Sequence, residues 1–235
     1  MCKAITVPKP HMRNRTSYLC TVPNVMDYGR ILVYLVAVHG HYNGMTWAMP
    51  AAIICNGVID DLDGKVARAL DQCSTMGYLV DCTADILAVM ANTGCIASAA
   101  LSSATLSVEV KWLICGGVQL YALFFIYWSA LATAIPNYKG NHHSRLARWY
   151  YGTLAGDLIL YLGMQVFWCV LYMYAADLHR ELVFPVLVIT SVIFALKVSV
   201  EVENVLCLVD KVMDKDRADA LAQSISASTK KHKST

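Results

Sequence analysis

Six apolar runs, each close to the length of a membrane-spanning helix, limit the fold of this chain more than any other feature. They lie at about residues 28–45, 47–68, 77–102, 110–135, 154–176 and 182–209. A bilayer core about 30 Å thick is crossed by a helix of about 20 residues. Because lipid offers no hydrogen-bond partners to the backbone, each run must satisfy its own peptide groups as a helix. The sequence therefore predicts an all-α, polytopic membrane protein with six transmembrane helices.

Composition supports this class and excludes an ordinary soluble domain. Of the 235 residues, 57% are hydrophobic and 15% are charged, and the mean hydropathy is +0.47. We expect the chain to lie in membrane lipid and not to bind nucleic acid. Most of the nine cysteines stand singly inside apolar runs, which predicts small buried side chains and no disulfide framework: Cys55, Cys82, Cys95, Cys115, Cys169 and Cys207.

The cationic residues alternate between the predicted loops. The residues before the first run, the second and fourth loops and the tail are rich in Lys and Arg, whereas the other side offers only Lys111 and Arg180. By the positive-inside rule, both termini and these two loops are cytosolic. This divides the chain into an N-terminal segment (1–22), a membrane domain (23–210) and a C-terminal tail (211–235). We find no signal peptide, and residues 9–22 form either an interfacial helix or a disordered segment.

Four aspartates stand out between the second and third runs. Asp60 and Asp63 are spaced i, i+3, and Asp81 and Asp85 are spaced i, i+4, so each pair lies on one face of its own helix. A carboxylate near hydrocarbon costs roughly 2.5 to 3.5 kcal/mol on insertion scales. Because no other partner for these four carboxylates is evident in the sequence, they indicate that a hard divalent cation is bound among them.

The same stretch contains the pattern D-x-x-D-G-x-x-A-R-x8-G-x3-D-x3-D in full. Its eight positions are Asp60, Asp63, Gly64, Ala67, Arg68, Gly77, Asp81 and Asp85. With this pattern the chain resembles the CDP-alcohol phosphatidyltransferases over roughly residues 20 to 210. Within that family it is most similar to the eukaryotic phosphatidylinositol synthases, through Val22-Pro23-Asn24, Gly29-Arg30-Ile31, Ala67-Arg68-Ala69-Leu70 with Gln72, and Arg148-x-Tyr150-Tyr151.

The resemblance implies transfer of the phosphatidyl group of CDP-diacylglycerol to myo-inositol, with release of CMP. It also implies a homodimer in the endoplasmic reticulum or Golgi, with the site facing the cytosol. Two Mg²⁺ or Mn²⁺ ions would be held by the motif aspartates, and Asp85 would also take the proton of the attacking hydroxyl. The residues implied in binding CDP-diacylglycerol are Asn24, Gly64, Ala67, Arg68 and Gly77.

The acceptor alcohol is the least defined part of this hypothesis. Ser129, Thr133 and Arg148 are candidates for an inositol pocket near the fourth and fifth spans. Ile86 stands where relatives commonly carry Arg, so glycerol 3-phosphate, choline and serine stay open as acceptors. An intramembrane prenyltransferase also uses two Asp clusters and magnesium, but it has no need of the G-x-x-A-R segment. A transporter would be expected to show broken helices or paired halves, and the sequence shows neither.

The sequence supports four further local expectations. Gly64 and Gly77 bracket the turn between the second and third spans. Lys197 and Glu201 form an i, i+4 ion pair in the sixth span, and the charged tail after Asp210 is helical only in part. The final Lys231-His-Lys233-Ser-Thr matches either a retrieval signal of the endoplasmic reticulum or a basic tail for anionic headgroups.

Overall fold

A computed structural model of the protein describes residues 19–134 and 144–233, with side chains over 19–133 and 144–217. All regular structure in these ranges is helical, which confirms the predicted all-α class. The segment 9–22, predicted as either an interfacial helix or a disordered segment, lies outside the described residues up to residue 18. Within the described ranges we number the helices α1 (Val22–Tyr42), α2 (Ala48–Ala69), α3 (Thr75–Ser102), α4 (Val108–Ala134), α5 (Arg145–Gly152), α6 (Leu154–Ala175) and α7 (Arg180–Lys233).

Six long helices occupy the positions of the six predicted spans. Four of them contain segments long and apolar enough to cross a membrane: Thr75–Ser102, Val108–Thr133, Leu154–Ala175 and Arg180–Arg217. This confirms a polytopic membrane protein. Helices α1 and α2, with 21 and 22 residues, are close in length to the 22-residue α6, but they contain several of the buried charged side chains described below.

The structure departs from the sequence prediction in the fourth loop and in the tail. Residues 145–152, which the sequence analysis left in the loop between the fourth and fifth spans, form the short helix α5, whose first turn is capped by the Ser144 hydroxyl accepting from the Ala147 N–H at 3.0 Å. An eight-residue helix with two arginines is too short and too charged to register as an apolar run. Helix α7 continues past the predicted end at 209 as far as Lys233, where we expected only partial helix.

The turn between α2 and α3 is made by residues 70–74. Gly64 lies inside α2, and the chain reverses at Asp71, whose φ of 55° is in the left-handed region that Asp tolerates. Ser74 then caps α3 by accepting from the Gly77 N–H at 2.9 Å. We refer to the end of the bundle at this turn as the turn end.

The hydrophobic core lies towards the opposite end of the bundle. Its largest fully buried members are Met49 and Ile53 early in α2, Ile96 late in α3 and Tyr172 late in α6. Helix α6 packs against α2, α3, α5 and α7, and α3 packs against α1, α2, α4 and α6, so these two helices are central to the bundle. Of the cysteines predicted to be buried, Cys95, Cys169 and Cys207 are buried, whereas the prediction is wrong for Cys55, which is exposed.

Candidate active site

Five carboxylates from three helices converge on one guanidinium near the turn end. That guanidinium belongs to Arg30 on α1, which is 1% exposed. Its Nε donates to the Asn56 side-chain oxygen at 2.9 Å. Its Nη atoms contact Asp27 at 3.0 Å, Asp60 at 2.8 Å, Asp63 at 3.2 Å, Asp81 at 3.0 Å, and Asp85. We call Arg30 and these five aspartates the carboxylate cluster.

Helical spacing explains how each helix presents its members to the cluster. Asn56, Asp60 and Asp63 recur at i, i+4 and i+7, so they follow one face over the last turns of α2. Asp27 and Arg30 are i, i+3 partners in the second and third turns of α1. Each helix therefore offers a short polar face, and the packing of the three helices closes these faces on one another.

The structure brings together all four aspartates of the motif, and it adds two residues that the sequence analysis did not assign to the site. Asp27 and Arg30 were missed, and the expectation that the carboxylates have no other partner is wrong. The sequence contained a signal for both residues, because an Asp and an Arg three residues apart in an apolar run are expected to form an intramembrane ion pair.

The donor atoms of the cluster suit a divalent metal ion. Asp27, Asp63 and Asp81 form one group of carboxylate oxygens within 4.8 Å of one another, and Asp60, Asp81 and Asp85 form a second. All are hard oxygen ligands of the kind that Mg²⁺ and Mn²⁺ prefer. The cluster already binds a buried cation, Arg30, yet five carboxylates against one guanidinium leave a formal excess of four negative charges.

A tyrosine on α6 orients one of the carboxylates. The Tyr161 hydroxyl donates to Asp60 Oδ2 at 2.5 Å and lies 3.3 Å from the Gly57 carbonyl oxygen. The approach is close because residue 57 has no side chain, and a methyl group there would lie 2.9 Å from Gln165 Cγ. Tyr161 is 101 residues from Asp60, so no local pattern pointed to it.

Three of the residues implied in binding CDP-diacylglycerol lie together on α2. The Arg68 guanidinium lies over Gly64, where a methyl group would be 3.4 Å from Arg68 Nη1. Arg68 is exposed, and its side chain makes no ion pair or hydrogen bond with the part of the chain that the structure describes. Ala67 is buried beside it. The arginine is thus available to a ligand at the turn end, one turn of helix beyond Asp63.

Asn24 and Gly77 join the start of α1 to the start of α3. Asn24 is fully buried, and a methyl group at residue 77 would lie 3.1 Å from its Oδ1. The backbone N–H of Val22 donates to Gln72 Oε1 at 2.9 Å. These residues therefore hold the turn end together, and Gly77 lies in the first turn of α3 as well as allowing this close approach.

The three acceptor candidates are not brought to the carboxylate cluster. Ser129 is buried on α4, Thr133 is exposed and donates to the Ala130 carbonyl of its own helix at 2.7 Å, and Arg148 is exposed on α5. Within the described ranges, no contact joins any of them to the carboxylates. Their role stays a prediction. The predicted pair in the sixth span is confirmed, with Lys197 Nζ 3.3 Å from Glu201 Oε1.

Comparison with known proteins gives the same family as the motif. The model of the family "CDP-alcohol phosphatidyltransferase" matches residues 20–195. Relatives from Mycobacterium tuberculosis and Mycobacterium bovis, each named "Putative cardiolipin synthase", are 40% identical over 72 residues, which is 28% of this chain and 32% of theirs. The matched part of the chain thus spans about a third of the length of these relatives, and no solved structure matches it significantly. Since the family model covers all the helices that contribute to the carboxylate cluster, the chain belongs to the CDP-alcohol phosphatidyltransferase family.

Proposed function

We propose that the protein transfers the phosphatidyl group of CDP-diacylglycerol to myo-inositol, forming phosphatidylinositol and CMP. The observation that carries this proposal is the carboxylate cluster, in which every aspartate of the family motif, from α2 and α3, contacts Arg30 of α1. The cluster lies at the end of the bundle that the loop charges predict to be cytosolic, where a nucleotide-linked lipid can present its pyrophosphate. Inositol as the acceptor rests on the sequence resemblance.

Asp60, Asp63, Asp81 and Asp85 would hold Mg²⁺ or Mn²⁺, with Asp27 as a further oxygen donor. When bound, such ions supply positive charge to a pyrophosphate on which negative charge accumulates during transfer. Tyr161 fixes the orientation of the Asp60 carboxylate through its 2.5 Å hydrogen bond. Arg30 reduces the mutual repulsion of the carboxylates, because it donates to several of them from a buried position.

Asp85 would act as the general base. A hydroxyl oxygen of the acceptor attacks the β-phosphorus, the bond from that phosphorus to the bridging oxygen breaks, and the electron pair leaves with CMP. The hydroxyl proton passes to the Asp85 carboxylate. The Asp85 side chain is 30% exposed although its partner Arg30 is fully buried, so an acceptor can reach it from the turn end.

Arg68 would bind the substrate phosphates, since its guanidinium is exposed and carries several N–H donors in a fixed plane. Gly64 leaves the space in which that guanidinium lies. Asn24, Ala67 and Gly77 would form the adjoining wall of the CDP-diacylglycerol site. Ser129, Thr133 and Arg148 stay candidates for contact with inositol.

Location and assembly are also part of the proposal. We place the protein in the endoplasmic reticulum or Golgi membrane as a homodimer with its site facing the cytosol, on the strength of the resemblance and of the loop charges. The name of the mycobacterial relatives favours a second candidate function, the formation of cardiolipin. That candidate keeps the carboxylate cluster and changes only the acceptor.

An acceptor panel tests the proposal. Purified protein in nanodiscs is given CDP-diacylglycerol and Mg²⁺ or Mn²⁺, and CMP release is measured with inositol, glycerol 3-phosphate, choline, serine or phosphatidylglycerol. We expect release with inositol, and an Asp81→Asn variant serves as the inactive control. Release with another alcohol and not with inositol would overturn the acceptor assignment, and absence of release with every alcohol would overturn phosphatidyl transfer.

A further inference from the structure

A second group of buried polar side chains lies between α4, α5 and α7, outside the carboxylate cluster. Its centre is the ion pair of Lys197 and Glu201, which are 7% and 4% exposed. Glu201 Oε2 also accepts from the Tyr121 hydroxyl at 3.3 Å, and Lys197 Nζ lies 4.5 Å from the centre of the Tyr150 ring. Charged side chains buried in apolar spans are costly, so they mark functional sites more often than structural ones.

Asn204 extends this group by one further turn of α7. It is 1% exposed, and its Nδ2 donates to the Tyr151 hydroxyl at 2.7 Å. Its Oδ1 is buried and has no hydrogen-bond partner among the described residues. One end of the amide is therefore satisfied and the other has no partner within the described residues, an arrangement that Asn92, outside this group, shares. We call the set Tyr121, Tyr150, Tyr151, Lys197, Glu201 and Asn204 the α7 polar cluster.

Helix α5 covers the α7 polar cluster. The Ser144 backbone N–H donates to Glu203 Oε1 at 2.8 Å, which fixes the start of α5 against α7. Tyr150 and Tyr151 then meet Lys197 and Asn204. This explains the Arg148-x-Tyr150-Tyr151 segment differently from the sequence analysis, because its tyrosines face the buried cluster while Arg148 is exposed.

Helix α6 links the α7 polar cluster to the carboxylates. Tyr161 on α6 donates to Asp60, and Met164 Sδ lies 3.8 Å from the Tyr121 hydroxyl. Tyr161 and Met164 are spaced i, i+3, so they share one face of α6 with a rise of about 4.5 Å between them. A small molecule held by the α7 polar cluster would thus lie within about one helical turn of the carboxylate cluster.

We propose that the α7 polar cluster binds the acceptor and selects an uncharged alcohol with several hydroxyl groups. This inference rests on the proposed phosphatidyl transfer and names the acceptor class for it. The charge of Lys197 is balanced by Glu201, so the cluster has no spare cation for a phosphate-bearing acceptor. The cluster instead presents phenol, amide, ammonium and carboxylate groups, and hydroxyls both donate to and accept from such groups. The free end of Asn204 would be satisfied by one of them.

Steady-state kinetics with matched variants test this inference. Asn204→Leu removes the available amide, and Asn92→Leu is the control, because Asn92 is also buried and donates to a tyrosine, Tyr34, at 3.1 Å. We expect Asn204→Leu to raise KM for inositol about tenfold or more, the equivalent of one lost hydrogen bond to the ligand. KM for CDP-diacylglycerol and its metal-dependent binding should change less than about twofold, and Asn92→Leu should leave the inositol KM unchanged.

A second variant tests the charge argument. Glu201→Gln leaves Lys197 without its counter-charge. We therefore expect CMP release with inositol to fall, and the ratio of release with glycerol 3-phosphate to release with inositol to rise. If Asn204→Leu does not fold, Tyr151→Phe, which removes a single hydroxyl, carries the same expectation for the inositol KM.

The outcomes separate the two proposals. If the wild-type protein transfers to inositol but Asn204→Leu or Tyr151→Phe changes both KM values together, or neither, the α7 polar cluster is structural and this inference is wrong. A wild-type protein that prefers a phosphate-bearing acceptor overturns the inference and leaves phosphatidyl transfer standing. A wild-type protein that binds no CDP-diacylglycerol and releases no CMP with any alcohol overturns the proposed function itself.

Discussion

Replacing Arg30 by methionine removes the only cation in contact with five carboxylates within the described residues. The Arg30 side chain is 0% exposed, whereas its partners range from 3% exposed at Asp27 to 36% at Asp81. Removing one partner of a buried ion pair costs about 3 to 5 kcal/mol. Since some of the carboxylates reach solvent, we take the lower end, about 3 kcal/mol. For a chain of this size that corresponds to a fall in Tm of roughly 6 to 12 °C.

The same charge argument predicts how divalent ions change the Tm of Arg30→Met. A cation that binds the folded protein alone stabilises it by RT ln(1 + [L]/Kd). Arg30 and a metal ion are alternative cations for one set of oxygens, so Mn²⁺ should raise the Tm of Arg30→Met more than that of wild type. The Tm is measured by thermal unfolding in one detergent, with EDTA and with a series of Mn²⁺ concentrations.

Lys65→Met is the matched control for Arg30→Met. Lys65 also pairs with an aspartate at the turn end, Asp61, at 2.6 Å, but the two side chains are 55% and 37% exposed. An exposed pair contributes about 0 to 1 kcal/mol. If Arg30→Met is as stable as Lys65→Met in EDTA, or if both gain equally from Mn²⁺, Arg30 is not the counter-charge of the cluster.

Three further predictions concern the metal, the base and the far end of the bundle. Chelation should abolish CMP release, with recovery in Mg²⁺ or Mn²⁺ but little in Zn²⁺, which prefers nitrogen and sulfur ligands; full activity after thorough chelation would contradict this. Asp85→Asn should lower turnover by roughly 10² or more and keep most CDP-diacylglycerol binding. Asp60→Ala should instead weaken binding of both the metal ion and the lipid substrate. If both variants lose binding equally, Asp85 is chiefly a metal ligand and not the base. Partial burial acts to raise the pKa of Asp177, but hydrogen bonds from Thr105 and Ser103 and the charge of Arg180 outweigh it and lower that pKa. Its stabilising effect is therefore present above the ordinary Asp pKa and lost as pH falls through the lowered value, so Asp177→Asn should lower the Tm at pH 7 and have a smaller effect near pH 3; an equal effect at both pH values would refute the assignment.

The site was predictable where its geometry is local. Asp60 and Asp63, and likewise Asp81 and Asp85, share helix faces because 3.6 residues make one turn, and the structure places all four in one cluster. The ion pair of Lys197 and Glu201 was predictable for the same reason. Helix α5 was missed because a criterion based on apolar runs does not detect an eight-residue helix with a charged face.

The sequence by itself determined the membrane class, the approximate positions of six long helices and the motif that identifies the family. Only the tertiary structure decided which faces meet. Arg30 reaches Asp85 across 55 residues, Tyr161 reaches Asp60 across 101, and Tyr121 reaches Glu201 across 80. The periodicity of one helix sets which of its side chains share a face, but the partner of that face depends on how several helices pack together. That choice depends on the shapes of all the packed side chains at once, and no local spacing encodes it.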